Sequence, residues 1–311
     1  MPLLDREDLH LAAHKHLQAH LYRVLYRHVL TPLLTDASSV LNELARARVL
    51  ASATFGAHAL VTASAVPPTT LVLDQPWIFY IHHLLGLAQP AFRTERLARC
   101  HSNCPELTFT NPAVAPHALA YATPHAYHQL GCRCGPWRIR RHNRWAHGHA
   151  DIITALAPDY EADLKRHLHS SATSKRQIDL RIRSVSRTPV EAIFDFTISV
   201  SFLPGYLHDA ARDAHRLFMA RARDKYAHHA ADAHDAKLYI LAVVGNTLGG
   251  FGPDGYVSFL RRLASSAIGE EIARGGSGRE AAYTLAHGLE ELQAVMLRSN
   301  YEMVLDLTTD P

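Results

Sequence analysis

The chain has 311 residues, 48% of them hydrophobic and 20% charged, with a formal net charge of +3. That is the composition of a soluble globular protein with enough length for a sizeable core, in one large domain or two to three small ones. No apolar run approaches a membrane span, and the N-terminus MPLLDREDLHLAAHKH lacks the apolar stretch of a secretory signal. The four cysteines all lie between residues 100 and 134. Clustered thiols without a signal peptide point to metal rather than disulfides, in a reducing compartment, nuclear or cytoplasmic.

In chain order, residues 5–35 read as a helix, with Leu17, Leu21, Val24 and Leu25 at helical spacing. A second helix is expected from Asp36 as N-cap through VLNELARARVLASA. Pro67 and Pro68 break the chain into a loop and a short extended piece, and Gln75–Leu87 reads as a buried helix. These first hundred residues show no catalytic constellation. Residues 100–136 are irregular and rich in Pro, His and Cys, and Trp137–Ala157 is then a helix with a strongly basic start, ended by Pro158.

From there the period changes. QIDLRIRSV (177–185) alternates, Arg187-Thr-Pro189 is a turn, and Val190–Leu203 is β-branched and aromatic, so the two runs read as a hairpin. A long Ala-rich helix is expected over His208–Ala236, a third strand over Ala236–Val244, a Gly-rich loop over 245–253 and a helix from Pro253-Asp254. Gly269–Leu307 reads as one or two helices. The loop GNTLGGFGP lacks the Gly-Lys-Ser/Thr of a phosphate loop, and no G-x-S-x-G is present.

Three groups of residues carry chemistry. Cys100-x3-Cys104 and His128-x3-Cys132 are two close pairs of soft ligands, the arrangement of a structural Zn²⁺. With 23 histidines in the chain, reduced thiols beside a His-rich loop give the same pattern. Leu107–Ala150 and Leu164–Ile178 contain no Asp or Glu, and they carry Arg138, Arg140, Arg141, Arg144, Lys175 and Arg176. Such runs either track a phosphate backbone or form a solvated basic face. Asp179 and Asp195 lie in the two strands of the hairpin, each between apolar neighbours. Carboxylates on adjacent strands can converge on one Mg²⁺, with Lys225 as a neighbouring cation and Glu161 completing the acidic set. A lone strand Asp is also often a solvent-facing edge residue.

The order of these motifs resembles the C-terminal region of non-LTR retrotransposon reverse-transcriptase polyproteins that carry a restriction-like endonuclease. The matching text is YHQLGCRCGPWRIRRHN (127–143), KRQIDLRI (175–182), AIFDFTISV (192–200), RARDKY (221–226) and LAVVGNTLGGFGP (241–253), so the resemblance spans roughly residues 40–265. It implies an α/β fold: a helical N-terminal region, a small zinc-knuckle-like segment and a PD-(D/E)XK-like nuclease core with a mixed sheet. The implied organisation is 1–98 helical linker, 99–145 Cys/His knuckle and basic helix start, 146–268 nuclease core and 269–311 helical tail. It implies Mg²⁺-dependent nicking of DNA at an insertion site, with Mg²⁺ on Asp179 and Asp195, Lys225 nearby and Tyr226 supporting that lysine. Arg141, His142 and Asn143 would sit beside the knuckle, as structural or DNA-contacting residues. The implied partner is DNA, or RNA, with no membrane. The alternative is a zinc-stabilised nucleic-acid-binding module with an inactive nuclease fold. The chain departs from the family pattern with Ile178 where Pro often precedes Asp, Thr197 where simpler nucleases place Lys, and Asn246 where Glu is expected. No Tyr/Phe-Ala-Asp-Asp polymerase motif is present, so a polymerase region would be encoded elsewhere or lost.

Overall fold

The computed structural model describes residues 40–57, 74–85, 130–131, 136–167, 177–184, 191–236 and 239–308. Among these are seven helices and five strands: α1 (Val40–Ser52), α2 (Asp74–Leu85), α3 (Trp137–Leu156), β1 (Tyr160–His167), β2 (Gln177–Ser184), β3 (Glu191–Ser199), α4 (Pro204–Arg212), α5 (Ala214–Ala236), β4 (Tyr239–Asn246), β5 (Phe251–Gly252), α6 (Asp254–Ala273) and α7 (Arg279–Thr308). The strands form one mixed sheet in the order β1-β2-β3-β4-β5. Only the β3–β4 pair is parallel; the chain leaves β3, makes α4 and α5, and returns as β4.

The β3 and β4 strands are central and nearly continuous apolar runs, as strands covered on both faces must be. Their side chains alternate. Ala192, Phe194 and Phe196 of β3 and Leu241 and Val243 of β4 join Trp145, Ile153, Tyr256, Leu260 and Met296 in one core. On the other face, Ala242 and Val244 pack on Phe218 and Ala222 of α5, with Tyr226 beside them. The sheet is therefore sandwiched between α5 and a layer of α3, α6 and α7. A second cluster at one end joins α1, α2 and α4 to α7 through Leu44, Phe79, Tyr80, Phe202, Leu207 and Leu297.

The layer on the α3 face is aromatic and buried. Trp145 and His149 meet edge to face at 4.4 Å, and His149 stacks on Phe196 at 5.1 Å. The His149 Nδ1 lies 2.7 Å from the Tyr256 hydroxyl. Burial without a charged partner pushes His149 down to about 3, so it is neutral near pH 7. Helix α7, expected as a tail, is part of this core. It lies close along α3 because Gly148 faces Leu292 and Gly288 faces Ile152, where a β-carbon would come within 2.8 and 2.4 Å of those side chains.

Several boundaries differ from the sequence reading. Strand β1 was not expected. The single helix over His208–Ala236 is two, parted at Asp213, whose Oδ1 accepts the His215 N–H at 2.8 Å. The second strand of the hairpin stops at Ser199, four residues short of Leu203. The Gly-rich loop is a β4–β5 turn knotted by Asn246: its Oδ1 accepts from the Leu248 and Gly250 N–H groups, and its amide donates to Ala51 O and Thr54 Oγ1. The helix expected over 5–35, Asp36 and the loop around Pro67 lie outside the described residues.

Packing of Trp145 against the β4 backbone gives a direct test. A β-carbon on Gly245 would fall 2.5 Å from the Trp145 ring, which is fully buried. Gly245→Ala is expected to destabilise the fold by about 1–3 kcal/mol, the range for overpacking a core. Urea denaturation followed by tryptophan fluorescence measures it; an unchanged midpoint would show that this contact is not tight.

Candidate active site

The hairpin of β2 and β3 is registered by Leu180↔Phe194, Arg181↔Ile193, Ile182↔Ala192 and Arg183↔Glu191. One step further, the same register sets Asp179 opposite Asp195. The ladder has ended there, and the Phe196 N–H donates instead to the Asp179 carboxylate, 2.7 Å from Oδ2. The register therefore leaves the two carboxyl-bearing residues side by side at this end of the hairpin. Because Phe194 and Phe196 face the aromatic layer, Asp195 points to the α5 face.

Helix α5 supplies the counter-charge. Lys225 and His229 are four residues apart and so share one helical face. Lys225 Nζ lies 2.8 Å from Asp195 Oδ1, and His229 Nε2 lies 2.7 Å from Asp195 Oδ2. Tyr226 packs between α5 and β4 with Phe218, Ala242 and Val244, and its hydroxyl is 3.4 Å from the Ala242 N–H. It thereby fixes the helix that carries Lys225. From α3, His142 Nε2 reaches Asp179 Oδ2 at 3.1 Å and the Phe196 carbonyl at 3.0 Å. Both partners are acceptors, so Nε2 carries the proton.

The electrostatics follow from this geometry. Asp195 is 5% exposed, and burial opposes its charge. The His229 hydrogen bond, the Lys225 charge and the Asp179 contact outweigh that and hold its carboxyl down at about 2. For His142, burial disfavours the imidazolium, but Asp179 and the Phe196 carbonyl outweigh it and raise its pKa.

The structure thus brings Asp179, Asp195 and Lys225 together. Glu161 is a correction. It pairs with Arg183 across β1 and β2, its Oε2 lies 2.6 Å from the Arg183 guanidinium, and its side chain is 55% exposed. Four residues separate Arg183 from Asp179, about 13 Å of strand, so Glu161 does not join the acidic pair. Arg141 is a second correction as a nucleic-acid contact: it is 1% exposed and donates to Asn300 Oδ1 at 2.7 Å and Leu130 O at 2.9 Å. Through Asn300, whose amide donates to Thr247 O at 2.8 Å, it ties α3 to α7 and the β4–β5 turn.

The other basic residues differ in setting. Arg138 and Arg140 are exposed, Arg140 over the Trp137 ring at 4.8 Å. Arg144 pairs with Glu302 at 2.5 Å. Asn143 Oδ1 is 3.4 Å from His142 Nδ1. Lys175, Arg176 and the zinc candidates Cys100, Cys104, His128 and Cys132 lie outside the described residues. His229 was missed by the sequence reading, although its i+4 spacing from Lys225 was the available signal. Compared with family models, curated proteins and solved structures, the chain has no match.

The depressed carboxyl of Asp195 makes stability depend on pH with a definite sign. On acidification the unfolded chain takes up this proton first, near 3.8, while the folded protein resists until about 2. The contribution is therefore complete above 3.8 and lost as pH falls through about 2. Urea midpoints measured across this window are expected to fall less steeply in Asp195→Asn than in the wild type. Parallel acid limbs would contradict the assignment.

Proposed function

We propose that this chain carries a PD-(D/E)XK-like nuclease core that nicks DNA, related to the restriction-like endonucleases of non-LTR retrotransposon polyproteins. One observation carries the reading: a hairpin sets Asp179 beside Asp195, and the following helix leans Lys225 onto Asp195 at 2.8 Å. Three charged groups from three elements meet at a strand end, a place where folding alone does not require them.

The donor set suits a hard divalent ion. Lys225 and His229 already engage the buried Asp195, and a divalent ion would share its oxygens while offsetting the charge of Asp179 as well. Among the described residues no group of three or more His, Cys, Asp or Glu could hold a metal. Mg²⁺ typically takes one or two carboxylates and leaves its other positions to water and phosphate oxygens. Bound by Asp179 and Asp195, it would activate water and stabilise charge on the phosphodiester.

The chain's own groups divide the remaining work. Lys225 is part-exposed and can turn its ammonium toward the phosphate oxygens as their charge grows. His229 is buried and holds the second oxygen of Asp195, so it is a positioning residue. His142 and the Phe196 N–H fix the orientation of Asp179. Thr197, where simpler nucleases place lysine, carries no charge, and Lys225 supplies it from the helix. A structural zinc held by Cys100, Cys104, His128 and Cys132, which lie outside the described residues, belongs to the same proposal.

Plasmid nicking tests this. With Mg²⁺ the wild type is expected to nick supercoiled DNA, and EDTA to abolish it. Asp179→Ala and Asp195→Ala should fall to background, and Lys225→Ala should lose about 10²–10³-fold. Equal nicking by Asp195→Ala and wild type would exclude the site. Binding without nicking would favour the inactive, zinc-stabilised module. Separately, metal analysis of purified protein should find zinc that Cys104→Ser and Cys132→Ser both remove; zinc retained by both variants would reject these ligands.

A further inference from the structure

A cleft of about 300 Å³ opens beside the acidic pair, between the start of α3, the end of β3 and the faces of α4 and α5. Its lining includes Arg138, Arg141, Arg221 and Lys225, and no Asp or Glu. Lys225 is matched by Asp195 at its inner end, and Arg221 by the exposed Asp224 at 3.3 Å. Arg141 is wholly buried, yet its partners are an amide oxygen and a carbonyl, and its Nε has none. Burial and then the nearby charge of Arg138 press Arg141 down to about 10. The positive end of α3, a helix of 20 residues with no acid in its first turn, adds to the same field.

Two of these four cations are paired, and the lining itself holds no carboxylate, so the cleft keeps a positive field that attracts an anion. The opposite character is also present. Ile139, 63% exposed, and Tyr206 bring apolar surface to the same cleft. Arg221 lies over the Tyr206 ring at 5.1 Å, which joins the cationic and apolar sides. A cleft of this size is at the small end of ligand pockets, which run from about 300 to 1,000 Å³. That is the scale of a single nucleotide rather than of a paired one.

We propose that this cleft holds one unpaired nucleotide of a DNA strand, its phosphate between Arg138 and Arg221 and its base against Ile139. The proposal rests on the nuclease reading only for the direction in which the strand runs, past Lys225 toward Asp179 and Asp195. It makes the protein a reader of single-stranded or locally opened DNA rather than of intact duplex.

Binding without cleavage tests it. A fluorescein-labelled single strand and the same sequence as a duplex are titrated in EDTA, with anisotropy as readout. The wild type is expected to hold the single strand about tenfold or more tighter. Arg138→Ala and Arg221→Ala, both at part- or fully exposed positions, should each lower the single-strand salt slope by about 0.7. Ile139→Trp keeps every charge but fills the cleft, and should weaken the single strand while leaving duplex affinity alone. Equal or tighter duplex binding, or an Ile139→Trp variant that binds like wild type, overturns the proposal. If the wild type nicks plasmid but shows no strand preference, the cleft assignment falls and the nuclease reading survives. If it prefers the single strand yet never nicks, the reverse holds.

Discussion

The structure turns on a carboxylate buried in a strand that is covered on both faces. Asp195 stands in β3, between the aromatic layer and α5, where an unpaired charge would cost several kcal/mol. Two donors four residues apart on α5 satisfy its two oxygens. That requirement fixes the rotation of α5 on the sheet, and Tyr226 and Phe218 fix its distance. The same register sets Asp179 against Asp195, and Asp179 in turn takes the N–H of Phe196 where the ladder ends. An ion cluster of this kind seldom adds stability over well-packed apolar side chains of equal volume. The fold would not need it, which is the physical ground for looking to chemistry at this point.

Helix α3 carries two histidines in opposite settings. His149 sits in the aromatic layer against Trp145, Phe196 and Tyr256, and burial keeps it neutral. Two turns earlier, His142 meets Asp179 and is pushed the other way. One helix thus holds one imidazole in packing and another in the charged site. Phe196 links them: its ring stacks on His149, while its N–H and carbonyl engage Asp179 and His142. A substitution in the aromatic layer would move the carboxylate through that single residue.

What could be read from the chain beforehand was set by how local each signal is. Strongly periodic segments such as Trp137–Ala157 and the hairpin strands appear where expected, within a few residues. Strand β1 escaped because YEADLKRH is half charged and follows a proline that ends a helix, so it has no apolar run to mark it as a strand. The break at Asp213 escaped because good helix formers, Ala211 and Arg212 before it and Ala214 after it, surround it, although Asp is a favoured cap. Asp179, Asp195 and Lys225 were legible as strand and helix positions. Glu161 was misjudged because proximity in sequence to the hairpin says nothing about which end of β2 it meets. Arg141 stayed open between a structural and a DNA-contacting role because a run of arginines looks uniform until the helix turns one of them inward, toward Asn300.

The placement of the lysine has a consequence of its own. A lysine at position 197, in the strand, would project from β3 into the space that Thr197 now leaves open beside Ser199 and Arg221. Reaching Asp195 from α5 instead, Lys225 brings the same charge from the cleft's wall without occupying its floor. On the proposed nuclease reading, the uncharged Thr197 and a lysine on the helix would be one arrangement. The shorter side chain keeps the cationic cleft open, and the helix keeps the ammonium beside the carboxylates, where a phosphate held in that cleft would meet it.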